Sequence, residues 1–559
     1  MLLKPTFVTT RWTFPILPAL TASAHADGFA RAHLPARGDW PEMFAALPEL
    51  YYPQRLNAGA ELLDAAVARG WGARACVRFG KDIWTYADLL AHANRIARVL
   101  VEDYGLKPGN RVLLRAANNP MMVACWFAVL KAGAIAVATM PLLRAKELGY
   151  ILGKAQVSLA LCDVRLADEM EKAQAAQPVC RDILYFNGDA PDGLEKRAAA
   201  KQASFDNCPT AADDVALIAF TSGTTGPAKG TMHFHRDIMA ICDAFPRYVL
   251  KPSADDIFTG SPPLAFTFGL GGLVTFPMRF GASTLLAERA SPELLPQIVS
   301  DGKATILFTA PTAYRAMAEN APAKAFASLV KGVSAGEHLP KPVFESWQRH
   351  TGIKLIDGLG ATEMLHIFVA SAPEDMIAGA TGRAIPGYTA CILDDEGNRL
   401  PPGEIGRLAV RGPTGCRYLD DIERQRKYVQ HGWNLTGDAY RMDENGYFWY
   451  QARTDDMIVT AGYNVSGPEV ESVLLDHPKI RECAVVGAPD AERGTIVKAF
   501  VVLRDPRHAD PATAKELQDH VKATIAPYKY PRSVEFVAEL PRTETGKVQR
   551  FKLRETPKA

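Results

Sequence analysis

The sequence lacks an excess of charge of either sign. Its 559 residues include 63 Lys and Arg against 62 Asp and Glu, which gives a formal net charge of +1. A general basic field that would hold nucleic acid is therefore missing, and we expect no nucleic-acid partner, although a local basic patch stays open. No apolar run approaches the roughly 18 residues that a membrane helix needs, so we expect no membrane partner either.

Paired cysteine motifs, repeats and low-complexity tracts are also missing. The 9 cysteines are scattered and form no Cys-x-x-Cys pair, which argues against a zinc ribbon or a disulfide framework and favours reduced thiols in the cytoplasm. The hydrophobic fraction of 48% and the charged fraction of 22% are typical of a folded soluble protein and exclude a disordered or collagen-like chain. At roughly 100–200 residues per domain, the length predicts about three to five structural lobes.

The first 26 residues only faintly resemble a secretory signal. A short apolar stretch at 14–20 contains two prolines, and small residues follow it at 22–26. A secretory signal needs a longer uninterrupted apolar segment before its cleavage site. We therefore expect residues 1–26 to be a flexible tail, or the result of a start codon assigned too far upstream.

Apolar runs alternate with amphipathic stretches along most of the chain. Residues 75–79, 111–115 and 215–220 are typical of buried strands, and 86–101 predicts an amphipathic helix with Thr85 as its N-cap. Such alternation predicts mainly parallel sheets that are covered by helices. The expected fold class is therefore α/β.

Two composition changes divide the chain. We expect a large N-terminal domain over 27–454, made of two α/β subdomains and a small β-rich lobe with strands at 390–393 and 406–412. Residues 455–559 predict a small α+β C-terminal domain. Its strands are expected at 485–487, 498–503 and 534–537, and its helices at 468–475 and 512–524.

A loop rich in small and hydroxylated residues follows the strand at 215–220. It has the sequence Thr-Ser-Gly-Thr-Thr-Gly-Pro-Ala-Lys-Gly-Thr over 221–231. Glycines let backbone N–H groups approach an anion, hydroxyls add donors and Lys229 adds charge, so the loop is typical of a phosphate site. It is neither a Walker A loop nor a Gly-x-Gly-x-x-Gly loop. The alternative interpretation is a polar turn.

Several separated motifs make the chain resemble the acyl-adenylate-forming superfamily, which includes acyl- and aryl-CoA ligases, adenylation domains and luciferases. The resemblance covers the chain from about residue 55 to its end. It rests on segments that follow the order of the family, at 221–230, 266–271, 334–337, 357–363, 432–438, 453–456 and 541–547.

The resemblance implies a binding site for ATP. The phosphates would be held by Thr221, Ser222, Gly223, Thr224, Thr225, Gly226 and Lys229. The rest of the nucleotide would contact Gly336, Glu337, Asp357, Gly358, Leu359, Asp438 and Arg453, with the ribose hydroxyls donating to Asp438. Many relatives have Tyr where this chain has Leu359, so an aromatic contact with adenine is not implied here.

The resemblance also implies a two-step reaction with ATP, Mg²⁺ and CoA. The acid first becomes an acyl-AMP with release of pyrophosphate, and the acyl group then passes to the CoA thiol. The implied catalytic residues are Lys547, Glu363 and Thr362, and Mg²⁺ would be held by Glu363 and Thr225. A lysine with its ordinary pKa of about 10.4 is charged at neutral pH and can bridge the carboxylate and the α-phosphate.

A lysine on the small domain implies that this domain moves. It has to leave after acyl-AMP has formed, since a thiol must then reach the same carbonyl. In the family the domain rotates about a hinge, which the resemblance assigns to Asp455. The face presented afterwards would form a CoA tunnel with Ala461, Gly462 and Tyr463.

Two segments resemble narrower branches of the superfamily. Residues 357–368 are similar to benzoate–CoA ligases, and 29–53 are most similar to 2-aminobenzoate–CoA ligases. The acid pocket would then be formed by Phe266, Thr267, Phe268, Gly269, His366 and Ile367. Flat apolar walls suit an aromatic ring, and the Thr267 hydroxyl suits a polar ring substituent. Simple core packing of the two phenylalanines and of His366 is the alternative interpretation.

The leading hypothesis is an AMP-forming aryl-CoA ligase that acts in the cytoplasm as a monomer or homodimer. Three alternatives stay open: an adenylation enzyme that loads a carrier protein, a luciferase-like oxidase, and a non-enzymatic nucleotide-binding paralogue. The last would be expected to have lost Lys547, Glu363 or Asp438, and all three are present.

Overall fold

The structure is a computed structural model that describes residues 20–221, 228–454, 456–460, 463–490, 494–525, 527–543 and 546–555. Its mixed helices and sheets confirm the α/β class that the sequence predicts. No helix within these ranges is both long and apolar enough to cross a membrane.

The first subdomain is built on a six-stranded sheet. Its strands lie in the spatial order Asp182–Phe186, Val157–Asp163, Arg111–Arg115, Ile135–Thr139, Val215–Thr221 and Lys229–Phe234. The first five run parallel and the last is antiparallel to its neighbour. Continuous apolar strands suit this sheet because helices cover its faces. The predicted strands at 111–115 and 215–220 are confirmed.

A nine-stranded sheet forms the second subdomain. Its spatial order is Arg383–Ala384, Ile367–Ala370, Leu355–Gly360, Lys331–Ala335, Ile306–Thr309, Ile257–Gly260, Ser283–Leu286, Ala75–Phe79 and Asp82–Thr85. The central strands are parallel, and the strands near both edges are antiparallel. The parallel centre brings the carboxyl ends of several strands to one side of the sheet, which is where ligands bind in folds of this type.

The helices of the large domain cover these sheets. They comprise Phe29–Ala32, Tyr86–Arg98, Pro120–Lys131, Ala145–Ala155, Ala167–Ala176, Leu194–Ala199, His235–Asp243, Thr267–Leu270, Phe276–Arg279, Leu295–Gly302, Pro311–Asn320, Lys341–Thr351 and Ile422–Tyr428. The helix predicted after Thr85 is confirmed, with a capping box between Thr85 and Asp88. Its α-helical part ends at Arg98, and a π-helical turn continues it over Val99–Asp103.

The expected β-rich lobe is a separate sheet. Strands Thr389–Leu393, Ile405–Arg411, Trp433–Met442 and Val429–Gln430 form it, and Phe448–Arg453 also pairs with the long third strand. All of its pairs are antiparallel. The strand Phe448–Arg453 ends one residue before the domain boundary that the sequence predicts after 454.

The C-terminal part has its own core. It consists of strands Ile458–Thr460, Tyr463–Val465, Ile480–Asp490, Gly494–Leu503 and Ser533–Phe536 and helices Gly467–Leu475, Pro511–Thr524 and Arg550–Glu555. Apolar side chains from both longer helices meet the sheet in one cluster, which includes Leu474, Val501 and Leu517. Because this core is separate from those of the large domain, we propose residues 455–559 as a domain.

Residues 20–26 do not form the flexible tail that the sequence predicts. The backbone N–H of Thr21 donates to Asp213 at 2.8 Å, and that of Ala24 donates to Asp214 at 3.0 Å. Arg31 forms ion pairs with the same two carboxylates. The two aspartates precede the strand at 215–221, so this segment is held against the first subdomain. Residues 1–19 lie outside the described part.

Candidate active site

Two neighbouring parallel strands bring the predicted nucleotide residues together. Ser334 pairs with Asp357 and Ala335 pairs with Gly358, so both strands end side by side. The turns that follow carry Gly336 with Glu337 on one strand and Thr362 with Glu363 on the other. Gly336 has a φ of +91°, which L side chains rarely adopt, and this explains why a glycine opens that turn.

Glu363 is held by a tyrosine from a distant segment. The Tyr418 hydroxyl donates to Glu363 Oε1 at 2.5 Å. Burial, and then the negative charge of Glu363, raise the pKa of Tyr418 far above its usual value, so the phenol keeps its proton and remains a donor. Lys229 Nζ lies 5.8 Å from the centroid of the same ring. Tyr418 therefore connects the predicted metal ligand with the predicted phosphate lysine.

Thr362 is fixed through its backbone. The Thr362 carbonyl oxygen lies 2.8 Å from His233 Nε2, so that nitrogen is the donor. Burial lowers the pKa of His233, against the opposing effect of Asp237, so the ring is neutral. His233 belongs to the strand that begins at Lys229, and the strand before the phosphate loop pairs with it through Thr221 and Lys229. The hydrogen bond from His233 therefore fixes the 362–363 turn against the hairpin that encloses the phosphate loop.

Asp438 and Arg453 face each other on adjacent strands. They are register partners, and Arg453 Nη1 lies 3.0 Å from Asp438 Oδ1. Burial raises the pKa of Asp438, while Arg453 and Lys547 act in the opposite direction. Gly437 has a φ of +77°, and a Cβ there would lie 2.9 Å from Arg453 Nη2. The positive φ favours glycine here, and a Cβ would require the Arg453 guanidinium to shift.

Asp357 is the second buried carboxyl at this end of the site. Burial raises its pKa well above the usual value, against a hydrogen bond with the Thr381 side chain. Burial thus favours the protonated form of this carboxyl. That form can both donate and accept a hydrogen bond, which suits the nitrogen atoms of a nucleobase.

The small domain presents Lys547 to the nucleotide end. Burial raises the pKa of Glu337, and the charges of Arg542 and Lys547 oppose that rise. Lys547 also opposes the rise at Asp438. One lysine thus acts on two carboxyls from separate segments of the large domain. In this arrangement of the domains, the charge of Lys547 therefore acts on the predicted ATP site.

The acid end has a different character. His366 is only 3% exposed, and neither ring nitrogen has a hydrogen-bond partner among the described residues. Its ring centroid lies 4.5 Å from that of Phe276, 5.8 Å from Phe268 and 5.9 Å from Phe245. Burial lowers the pKa of His366 to about 3, although the backbone of Phe268 acts in the opposite direction. The ring is therefore a neutral polar group among aromatic rings.

At the acid end, three glycines let the backbone pack closely against neighbouring residues. A Cβ at Gly271 would lie 2.3 Å from His366 Cδ2, and one at Gly358 would lie 2.4 Å from Ile367 Cδ1. Gly269 packs against the Pro263 carbonyl, where a Cβ would lie 2.1 Å from the oxygen. Phe266, Thr267 and Phe268 are only half-buried. The structure thus brings Phe268, His366 and Ile367 together and leaves partly open positions beside them.

A strained turn separates the two ends. Leu365 is buried and has a φ of +70°, which costs a non-glycine residue about 1–3 kcal/mol. The turn lets Glu363 contact Tyr418 while His366, three residues later, lies among phenylalanines.

The comparisons with known proteins agree with this architecture. The sequence pattern described as AMP-binding enzyme matches residues 63–417, and that of the AMP-binding enzyme C-terminal domain matches 469–547. The chain belongs to the AMP-binding enzyme family.

Relatives of this AMP-binding enzyme include ligases for aromatic acids. A benzoate–CoA ligase of Thauera aromatica is 33% identical over 512 residues, which cover 91% of this chain and 97% of that protein. The crystal structure of the anthranilate CoA ligase AuaEII with anthranoyl-AMP has a TM-score of 0.85 and 32% identity, and covers 91% of this chain and 98% of the other. A benzoate CoA ligase from Burkholderia xenovorans LB400 has a TM-score of 0.81 and 30% identity, with coverage of 89% and 100%.

The AMP-binding enzyme offers oxygen ligands that suit magnesium. Within the described ranges no group of three or more His, Cys, Asp or Glu side chains could hold a metal ion by itself. Glu363 does present a carboxylate beside Lys229 and Tyr418. Mg²⁺ typically takes one or two protein oxygens together with substrate phosphates, so the donor set fits an ion that is shared with ATP.

Some predicted site residues lie outside the described part. These are Ser222, Gly223, Thr224, Thr225 and Gly226 of the phosphate loop, Asp455 of the hinge, and Ala461 and Gly462 of the CoA tunnel. Tyr463 lies in a strand and pairs with Thr460. Leu359 is half-buried and packs against the main core.

Sequence reasoning missed Tyr418 and His233. Tyr418 lies 55 positions after Glu363 in a stretch without a recognised motif, and no local pattern marks it. The signal exists only in three dimensions, where Tyr418 forms a bridge with Thr231 beside the phosphate hairpin.

Proposed function

We propose that this AMP-binding enzyme is an ATP-dependent aryl-CoA ligase, with 2-aminobenzoate as the substituted acid that its pocket suits best. The observation that carries the choice of acid is the neutral His366 ring, which lies among Phe245, Phe268 and Phe276 with both nitrogens unpartnered. An aromatic ring gains from contact with phenyl rings, and a polar ring substituent gains a partner at the imidazole.

The first step joins the acid to ATP. A carboxylate oxygen attacks the α-phosphorus, the bond to the bridging oxygen breaks, and pyrophosphate leaves with that electron pair. Lys229 is held beside Tyr418 at the end of the phosphate hairpin, so its charge balances the phosphates. Lys547 brings a second cation, opposite the pair of Asp438 and Arg453. Cations fixed where negative charge collects stabilise the transition state.

Glu363 and Thr225 would hold Mg²⁺ together with the phosphates of ATP. The ion supplies further positive charge at the departing pyrophosphate. The chain's own contribution is to orient Glu363 through the Tyr418 hydroxyl and to fix the Thr362 backbone through His233. Both contacts come from the large domain.

The second step transfers the acyl group to CoA. The thiol sulfur attacks the carbonyl carbon, the bond to the phosphate oxygen breaks, and AMP leaves. Access for the thiol requires that Lys547 withdraw with the small domain about Asp455. The large domain keeps the aromatic ring in place, since His366 and its phenylalanine neighbours all belong to it. The nine unpaired cysteines support a reducing, cytoplasmic compartment, which is where we expect the enzyme to act.

The test is pyrophosphate release with ATP, Mg²⁺ and a panel of aromatic and aliphatic acids, with and without CoA. With benzoate and 2-aminobenzoate we expect a single turnover of pyrophosphate release without CoA, and continuous release only when CoA is present. Release only with aliphatic acids would overturn the proposed pocket. No release with any acid would favour the carrier-protein enzyme or the non-enzymatic paralogue, and a carrier protein supplied in place of CoA would distinguish these two.

Thr267→Ala tests the preference for a ring substituent. Thr267 is half-buried beside Phe268, and its hydroxyl is the other polar group that we propose near the ring. The variant is expected to lower turnover of 2-aminobenzoate and salicylate relative to benzoate. An unchanged ranking of the three acids would contradict this role for Thr267.

A further inference from the structure

One helix of the large domain carries two ion pairs to the small domain. This helix is Pro311–Asn320. Arg315 Nη2 lies 3.0 Å from Glu482 Oε1, and Arg504 Nη2 lies 3.0 Å from Glu319 Oε1. The first pair is the better enclosed, with side chains 19% and 21% exposed against 50% and 29% for the second. The two pairs cross the same interface but differ in the further contacts that their carboxylates make.

The carboxylate that pairs with Arg315 also contacts a second arginine, Arg542. Glu482 uses its other oxygen, Oε2, to accept from Arg542 Nη2 at 2.6 Å. Burial opposes ionisation of Glu482, yet Arg315 and Arg542 together hold its pKa below the usual range. The carboxylate is thus shared between an arginine of each domain. Charge-assisted hydrogen bonds to both oxygens fix the orientation of a carboxylate and also balance its charge.

Arg542 in turn holds the backbone next to Lys547. Its Nη1 donates to the Gly546 carbonyl oxygen at 2.6 Å. The same turn is closed by hydrogen bonds between the Thr543 N–H and the Lys547 carbonyl oxygen at 2.8 Å and between the Lys547 N–H and Thr543 Oγ1 at 3.1 Å. The peptide group that Arg542 grips is the one that joins Gly546 to Lys547. Its orientation therefore sets the direction in which the lysine leaves the backbone.

We propose that Arg315 is a positioning residue for Lys547, which acts through Glu482 and Arg542 and only while the domains are oriented for acyl-AMP formation. Rotation of the small domain separates Arg315 from Glu482, so the relay is absent in thioester formation. The pair of Arg504 and Glu319 crosses the same interface, but among the described residues it makes no hydrogen bond or ion pair to the lysine turn. Arg504 contacts Glu319 through its side chain and the Lys479 carbonyl oxygen through its backbone N–H.

The inference rests on the proposed function for its kinetic test. The two half-reactions are measured separately, as pyrophosphate release without CoA and as aryl-CoA formation from supplied aryl-AMP. Arg315→Met is expected to slow the first about tenfold and to leave the second within about a factor of two. Arg315→Lys restores part of the loss, because it returns a charge without the planar fork. The matched control, Arg504→Met, leaves both half-reactions near the wild-type rates.

Glu482→Gln separates the relay from a direct effect of charge. The charge of Arg315 also acts on Glu337, and Glu482→Gln keeps that charge while it breaks the connection to Arg542. The relay predicts that Glu482→Gln slows acyl-AMP formation at least as much as Arg315→Met, and that the double variant is no slower than Glu482→Gln alone. A normal rate in Glu482→Gln would overturn the relay.

Hydrogen–deuterium exchange over residues 541–553 gives a readout that does not depend on activity. The relay predicts faster exchange at Gly546 and Lys547 in Arg315→Met and unchanged exchange in Arg504→Met. Equal loss of both half-reactions, equal effects of the two arginine variants, or unchanged exchange in Arg315→Met would each overturn the proposal. Failure of the wild type to release pyrophosphate with any acid would instead contradict the proposed function, and the exchange measurement would still decide on the relay.

Discussion

At the nucleotide end of the site the side chains carry charges from both domains, whereas at the acid end a neutral ring lies among aromatic rings of the large domain alone. Lys547 acts on Glu337 and Asp438 across the domain interface. His366 contacts Phe276 and Phe268 without any residue of the small domain. We therefore propose that the large domain alone recognises the acid ring, and that closure of the small domain assembles the charges for chemistry.

This difference has a physical reason. A buried aromatic pocket is stabilised by packing and needs no moving part. Cations that must act in one step and then withdraw need a domain that separates easily. A few isolated ion pairs at a surface suit this, because each contributes only about 0–1 kcal/mol. The exposed pair of Arg504 and Glu319 is of this kind, whereas Arg315 pairs with a carboxylate that is better enclosed and shared with Arg542.

Among substitutions in the large domain, Asp438→Asn is expected to have the largest effect on kcat/KM for ATP. Loss of a charged acceptor for the ribose hydroxyls removes about 1.5–3 kcal/mol, so kcat/KM for ATP should fall by about 10- to 100-fold. The KM for the aromatic acid should stay near its wild-type value. The same comparison with 2′-deoxy-ATP and 3′-deoxy-ATP sharpens the assignment, since the variant should lose less with a substrate that lacks the hydroxyl. An equal loss with all three nucleotides would exclude Asp438 as the ribose partner.

At the acid end, His366→Leu should reduce the preference for 2-aminobenzoate over benzoate. Removal of one hydrogen-bonding group in a buried pocket costs about 1–1.5 kcal/mol, or up to about a tenfold change in the ratio of the two kcat/KM values. Kinetics with both acids at saturating ATP would measure it, and the KM for ATP should not change. A changed KM for ATP with an unchanged acid ratio would mean that the two ends are not independent.

Tyr418→Phe should weaken the response to magnesium. Without the hydroxyl, Glu363 loses the donor that orients its carboxylate, and the Mg²⁺ concentration for half-maximal rate should rise about fivefold. Tyr428→Phe is the matched control. Its ring centroid lies 5.9 Å from that of Tyr418, the residue is half-buried, and its hydroxyl has no partner among the described residues. Identical magnesium curves for the two variants would refute the positioning role of Tyr418.

The smallest effect concerns pH. The pKa of His366 in the folded protein is about 3, below its value of 6.5 in an unfolded chain. The unfolded state therefore gains a proton first as the pH falls, so this residue lowers the free energy of unfolding progressively from about pH 6.5 towards pH 3, by about 1.4 kcal/mol at pH 5.5. His366→Leu should thus lose less stability than the wild type between pH 7.5 and 5.5 in denaturant titrations. Parallel losses would show that the ring is not held neutral.

The sequence predicts the sheets well because their signal is local. The apolar runs at 111–115 and 215–220 are buried strands, since a strand covered on both faces by helices needs apolar residues at every position. The capping box at Thr85 likewise lies within four residues. The same reasoning failed at residues 20–26, where two aspartates 192 and 190 positions away hold a segment of unremarkable composition.

In the candidate site, too, the sequence predicts features with a local signal and misses those that depend on contacts between distant segments. Asp438 and Arg453 were predictable from motifs, but their pairing depends on the register of two strands. The neutrality of His366 depends on three rings from separate helical segments, and the positive φ of Leu365 has no signal in a leucine. Tyr418 and Arg315 act only through contacts between distant segments, so no local pattern identifies them.

The effect of Lys547→Ala on the two half-reactions tests most directly whether the small domain supplies charge for acyl-AMP formation while the large domain alone holds the aromatic ring. We expect the variant to lose at least about a thousandfold in pyrophosphate release without CoA. It should still form aryl-CoA from supplied aryl-AMP within about a factor of three of the wild-type rate. Equal loss of both half-reactions would contradict this division between the domains.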